Sequence, residues 1–283
     1  MPNTFITPDI VAKASLGFWQ NMAVLPNLFN RQYESEFSGY VGDTITIRKQ
    51  ASLTASRFSP ATGIVLQDVI ESSMTVTIGQ PFDVSVQIDQ RQWDFELSEF
   101  AYEVMEPMGR ALSRESEKTI AAKLAAATAS PMDPLKPLEA IINARKELNK
   151  AEVPLDNRFM VVGAGVAATL IGSPQFLQAQ QAGGTDAFRE ATIGRLFGMP
   201  VYESVVIDEA DSYVCHKDCL TIVSIVPVIP RGIVDGAATS YDGLGIRVLF
   251  SYDQLKKKDI ISADVYFEAA TLRGTPAFRR LTM

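Results

Sequence analysis

Val41-Gly42-Asp43-Thr44-Ile45-Thr46-Ile47-Arg48-Lys49, answered by Met74-Thr75-Val76-Thr77-Ile78 and then by Val84, Val86 and Ile88, is the stretch on which the fold turns. Apolar and polar residues alternate with period two, so Ile45 and Ile47 share one face of a strand, as do the apolar residues of the return. The connector from Ala51 to Ser73 is polar and holds Pro60 and Gly63. The reading is one extended two-stranded hairpin over 41–89 with a long tip. Such a hairpin is marginally stable alone in water, and its edges are open to pairing with other chains. It therefore points to a protein whose missing surfaces come from further copies of itself.

The segments on either side agree. Downstream, Leu97, Phe100, Ala101, Val104, Met105, Met108, Ala111 and Leu112 follow three-four spacing and predict a helix over 94–127. Asp94 or Ser98 can cap it. Glu96, Glu99, Glu103 and Glu106 load its first half and Arg110, Arg114, Lys118 and Lys123 its second, in the order that complements the helix dipole. About 30 residues would span ~45 Å, enough for a strut. Pro107 removes the backbone bond to residue 103 and predicts a kink. Upstream, Ile10, Val11, Ala14, Leu16, Phe18 and Trp19 suggest a short amphipathic helix, ended by Pro26 and Gly39. A helix this short needs a larger surface to lie on, in its own chain or in another.

Beyond the linker from Pro131 to Pro137 the pattern is mixed α/β. Helices are expected at 138–150, 164–170 and 174–181. Strands are expected at 158–162, 201–207, 213–216, 220–226, 245–250 and 259–268.

Two motifs inside this body suggest chemistry. Val161-Val162-Gly163-Ala164-Gly165-Val166-Ala167-Ala168 has the strand–GxGxxA–helix order of a dinucleotide site. That mechanism needs a second parallel strand ending in an acid that holds the ribose. Here Ser173-Pro174 stops the helix, and the next acids, Asp186 and Glu190, end no strand. The plainer reading is a tight turn of small residues, with an NAD-dependent enzyme using Gly163 and Gly165 as the alternative. Cys215-His216-Lys217-Asp218-Cys219 offers three soft or imidazole groups, short of the four of a structural zinc site. His216 is the sole histidine, so any Ser/His or Cys/His device would have to use it. The expectation is no catalytic residue, no metal and no cofactor.

Composition narrows the class. The chain has 283 residues, 47% hydrophobic, with a formal net charge of −7. That suits one large domain or two lobes and argues against a dedicated nucleic-acid binder. Two cysteines cannot build a disulfide framework. The first residues lack the apolar core of a signal peptide, and the longest near-apolar run, 159–172, is too short for a membrane span. A soluble protein made in a cytoplasm is expected. Basic residues sit on the hairpin (Arg48, Lys49, Arg57) and after a turn (Lys256, Lys257, Lys258). They suit pairing with acidic surfaces of neighbouring subunits, which sets register more than affinity.

The ordered set of segments resembles the major capsid (coat) proteins of tailed bacteriophages, in the short-tailed-phage branch. The pieces that carry the likeness are Asn3-Thr4-Phe5-Ile6-Thr7-Pro8-Asp9, the strand opening at Val41, the helix with its internal Pro107, Gly194 to Ser204, and Gly245-Ile246-Arg247-Val248 through Tyr252-Asp253. The resemblance implies the α+β fold of tailed-phage and herpesvirus capsids. Its parts would be an N-terminal arm (1–40), an extended E-loop hairpin (41–90) and a spine helix with part of the P-domain (91–152). An A-domain (153–240) and strands returning to the P-domain and C-terminus (241–283) would follow. It implies a virion protein that forms hexamers and pentamers and closes into an icosahedral shell around double-stranded DNA. Assembly would take place in the host cytoplasm, with a scaffolding protein and a portal as partners and without a membrane. An encapsulin-type compartment shell is the related alternative. The span from Tyr202 to Leu249 is too short for the large inserted domain of some relatives. Inter-subunit contacts are expected from Arg48, Lys49, Arg57 and Phe58 on the hairpin and from Phe18 and Trp19 on the arm.

Overall fold

The computed structural model describes residues 8–31, 44–49, 72–89, 101–173, 194–233, 235–241, 243–272 and 277–283; between 50 and 71 it describes 53, 55–58, 60, 63, 64, 66, 68 and 69. The start of the predicted long helix (94–100), the helix expected at 174–181, and the termini of the hairpin strands at 41–43 lie outside these residues.

Two helices pack against each other in the larger core. α1 (Pro8–Met22) starts on proline, where the missing N–H costs nothing. Lys13 pairs with Asp9 one turn earlier at 2.6 Å. Its buried stripe of Val11, Ala12, Ser15, Leu16 and Trp19 lies on α2 (Glu106–Ala125), which turns Met108, Gly109, Leu112, Ser113, Ser116, Ile120 and Leu124 inward. Gly109 permits the close approach, since a Cβ there would sit 2.6 Å from the Ser15 carbonyl oxygen and 2.9 Å from Phe18 Cβ. A single π-helical turn, Ala101–Met105, leads into α2.

Thirteen strands make three sheets among the described residues. β1 (Thr44–Lys49) and β2 (Ser72–Thr77) pair only with each other. β3 (Phe82–Asp89) departs from the expected hairpin. It pairs along its whole length with β12 (Lys258–Thr271), not with β1. The break is Gly79-Gln80-Pro81, where proline cannot donate to a ladder. The sheet β10-β11-β12-β3 is completed by β10 (Gly236–Tyr241) and β11 (Leu244–Asp253). The second half of β12 pairs instead with β9 (Leu220–Ile225). Arg247 and Asp264 stand opposite each other on β11 and β12. The Arg247 guanidinium grips both carboxylate oxygens, Nε at 2.8 Å, and also donates to the Val228 carbonyl.

The six-stranded sheet has the order β4-β13-β8-β5-β7-β6, with β4 (Ala129–Pro131), β5 (Arg158–Val162), β6 (Arg195–Leu196), β7 (Met199–Glu203), β8 (Asp211–His216) and β13 (Phe278–Thr282). Alternation along β5 divides two cores. Met160 and Val162 face α3 (Pro137–Lys150) and α4 (Ala164–Ile171), with Ile141, Leu148, Val166 and Leu170. Phe159 and Val161 face the larger core of α1, α2 and the other sheet. The last strand, β13, is placed inside this sheet between β4 and β8, while β11 and β12 lie in the other.

Candidate assembly surface

The hairpin is anchored at its base and bare at its tip. Ile47 of β1 and Val76 of β2 are buried against Val223 and Leu272 of their own chain, with Ile78, Ile225 and Ala270 alongside. The expectation that the hairpin has little to pack against in its own chain is corrected for the stem. It holds for the far end. Leu53, Phe58, Ile64, Leu66 and Val69 are exposed by 61–90%. Five large apolar side chains within 17 positions are more than scattered surface residues explain, and clusters of this kind mark interaction sites. Arg57 is exposed beside Phe58. Arg48 and Lys49 stand opposite Ser73 and Ser72 in the strand register; their side chains lie outside the described structure.

Phe18 and Trp19 do not belong to such a surface. Trp19 is fully buried in its own subunit. Its indole donates to Ser116 Oγ at 3.2 Å, and its ring meets Phe267 edge-on with centroids 6.3 Å apart. Phe18 is partly buried against the same core. The arm is held further by Glu117, a buried carboxylate of α2 that accepts from Val24 N at 2.8 Å and Leu25 N at 3.3 Å. Asn30 then adds to the edge of β9. Its carbonyl accepts from Ile222 N at 2.8 Å, and its side chain donates to Asp218 Oδ1 at 2.8 Å. The amphipathic pattern of 10–19 is thus satisfied within the chain. Sequence left both options open because periodicity shows that a face is buried, not by what.

Pro107 is the second residue of α2, directly after the π-helical turn. The backbone irregularity therefore falls where the missing N–H puts it. Pro107→Ala is expected to leave the α-helix intact by circular dichroism and to change the curvature or yield of shells. Normal shells in normal number would refute that.

The glycine turn is filled by its own chain. A Cβ on Gly163 would lie 2.1 Å from the Asp208 carbonyl oxygen, and one on Gly165 would lie 2.8 Å from that of Glu209. Gly163 N donates to Asp211 O at 2.9 Å and Val166 N to Glu209 O at 3.0 Å. A dinucleotide phosphate would need these donors and this space. β5 also lies between one parallel and one antiparallel neighbour, β7 and β8. The NAD alternative is thereby contradicted, and the glycines are explained as packing. Cys215 and Cys219 are both buried in the larger core. Burial, and then the hydrogen bond that its thiol makes to Cys219, push the Cys215 thiol well above its ordinary pKa. It is therefore a poor nucleophile.

One network carries no signal in the local sequence pattern. Asp211 is buried and accepts from Arg280 at 2.9 Å and from the Tyr213 hydroxyl at 3.1 Å. Arg280 also donates to the Ala125 carbonyl at 2.7 Å, at the end of α2. Burial first, then Asp211, raises the Tyr213 pKa. The cluster ties the last strand to the end of α2 and to β8, and it joins residues too distant in sequence to form a motif.

Two tight turns complete the exposed surface. The turn between β11 and β12 is held by Asp253 Oδ1, which accepts from Leu255 N at 2.9 Å and Lys256 N at 3.2 Å. It presents Leu255, 97% exposed, beside Lys256 and Lys257. The turn between β6 and β7 closes on the pair Leu196↔Met199. Both central residues have positive φ, Phe197 at 49° and Gly198 at 84°. That is the type I′ pattern, which favours Asn-Gly. A left-handed non-glycine residue costs about 1–2 kcal/mol. Among the described residues no helix is long and apolar enough to cross a membrane.

The comparisons with known proteins converge. The family model described as "Phage capsid protein" matches residues 70–270. The solved structure of Mycobacterium phage Che8 superposes with a TM-score of 0.71 at 23% identity, covering 92% of this chain and 90% of that one. The capsid of cyanophage P-SCSP1u gives a TM-score of 0.67 at 12% identity over 92% and 88%. The mature capsid of bacteriophage PhiM1 gives 0.61 at 14% over 85% and 82%. A search of curated proteins by sequence found no match.

Proposed function

Because this chain belongs to the phage capsid protein family, we propose that it is the repeating subunit of a closed icosahedral shell of hexamers and pentamers around double-stranded DNA, and that it performs no catalysis. The observation that carries this reading is the hairpin: a stem anchored in its own subunit holds out a tip bearing exposed Leu53, Phe58, Ile64, Leu66 and Val69. A single chain gains nothing from exposing this surface, whereas a neighbour that covers it gains about 25 cal/mol for each Å² of apolar area removed from water. Repeated around a ring, a contact that is weak once becomes strong, because each further contact forms within an assembly already held together. Arg57 and the lysine turn at 256–258 supply charge that sets register between copies.

The partners under this proposal are further copies of the chain, a scaffolding protein, a portal and packaged DNA, with assembly in the host cytoplasm. The net charge of −7 fits a shell that surrounds DNA without gripping it by sequence. The test is the content of particles isolated from cells making the whole virion. Nuclease-protected double-stranded DNA at a fixed ratio to this chain is expected. Particles holding an enzyme cargo in place of DNA would contradict the proposal.

A further inference from the structure

We infer that a cleft between the arm, β5 and β7 binds a small organic carboxylate; the inference goes beyond the shell reading and stands without it. The cleft has a volume of about 190 Å³, close to what a single six-membered ring needs. Separate parts of the chain build its walls: Asn27 and Leu28 after α1, Arg158 and Phe159 at the start of β5, Tyr202 of β7, and Lys217. Backbone bonds fix these walls in place. Lys217 N donates to the Asn157 carbonyl at 3.0 Å, and Asn30 N donates to the Lys217 carbonyl at 3.2 Å. Asn157, also in the wall, takes a left-handed φ of 53°, which asparagine tolerates.

Charge selects the ligand. Arg158 is 4% exposed, and its guanidinium donates only to neutral acceptors: the Pro154 carbonyl and Asn149 Oδ1 at 2.7 Å, and the Val153 carbonyl at 2.5 Å. Burial first, and then the charge of Arg145, lower its pKa. A buried charge without a counter-charge is costly, and an anion held nearby offsets that cost. Lys217 is exposed, and no described residue pairs with its ammonium. Asp218 beside it is engaged by the Asn30 side chain at 2.8 Å. No residue lining the cleft carries a carboxylate. In a chain of net charge −7, a cleft lined by two cationic residues and no acid favours an anion over a cation. Phe159 and Tyr202, edge to face with centroids 6.4 Å apart, join Leu28 and Pro200 as its apolar wall. The ligand class is therefore an aromatic or cyclic body with one carboxylate.

The experiment titrates benzoate, benzamide and inorganic phosphate calorimetrically into the unassembled full chain, wild type and Lys217→Gln, and benzoate into assembled particles. Benzoate is expected to saturate one site per chain with a Kd of about 1 mM or below. Benzamide, its neutral counterpart, and phosphate, which lacks the apolar body, are each expected to bind at least about fivefold more weakly, because the site reads a charge-assisted bond and a ring together. Lys217→Gln changes an exposed side chain, so Tm should hold within a few degrees while benzoate weakens by about fivefold or more. Particles should bind benzoate as the free subunit does. Absence of saturable benzoate binding would overturn the inference, as would benzamide or phosphate binding as tightly, or unchanged affinity in a folded Lys217→Gln. Should that variant unfold, the comparison of benzoate with benzamide on wild type decides alone. Affinity lost on assembly would mean that an acidic side chain of an adjoining protein fills the cleft, and would overturn the assignment to a free ligand. Each of these results leaves the shell reading where it stands, since that is judged by particle formation.

Discussion

Trp19→Ala is expected to destabilise the isolated subunit by about 3–5 kcal/mol, the cost of emptying a large aromatic site in a packed core. The indole is fully buried, bridges α1 to Ser116 of α2 and meets Phe267 of β12. Its removal opens a cavity where two helices and a sheet join and leaves the Ser116 hydroxyl with one partner fewer. Urea unfolding of the monomer measures this directly. The midpoint should fall steeply, with the slope unchanged. The outcome also decides what the arm is. A mutant with normal subunit stability and failed assembly would return Trp19 to an inter-subunit role and would overturn the packing described above. Phe18→Ala, at a partly buried position, should cost clearly less.

Replacing residues 50–71 by an Asn-Gly turn is expected to do the reverse: leave the subunit folded and abolish closed shells. The register places Lys49 opposite Ser72, so a two-residue turn joins the strands without altering the stem. The stem keeps Ile47 and Val76 against Val223 and Leu272, and the loss of a long loop costs the fold little. What disappears is the exposed apolar tip. Subunit Tm should stay within a few degrees of wild type, while electron microscopy shows no closed particles. Loss of the monomer fold would mean that the tip packs in its own chain, and shells of normal form would mean that it makes no essential contact.

These two variants mark where sequence reading succeeded and where it stopped. Period-two alternation found β1, β2 and β3 correctly, because side chains that alternate along a strand write their burial into the sequence. It joined β3 to the wrong partner, because pairing is a long-range choice. Only Pro81 and the fourteen-residue β12 decide that β3 joins the sheet of β11. The stripe of α1 was likewise visible, and its destination was not. The close approach at Gly109 depends on the Ser15 carbonyl 94 positions earlier. In the glycine turn, spacing alone fits a phosphate cradle. The carbonyls of Asp208 and Glu209 that occupy it come from a distant loop. At the hairpin tip Arg57 and Phe58 were legible as candidates, whereas Leu53, Ile64, Leu66 and Val69 were not, because their scatter among polar residues made the connector read as polar.

The shell reading requires this subunit to close on copies of itself. The most direct measurement is negative-stain electron microscopy of the purified wild-type chain beside sedimentation velocity, alone and with a scaffolding protein. Rings with five- and six-fold symmetry, or closed icosahedral particles, are the predicted result. A small closed dimer or tetramer that does not grow with concentration or scaffold would contradict it.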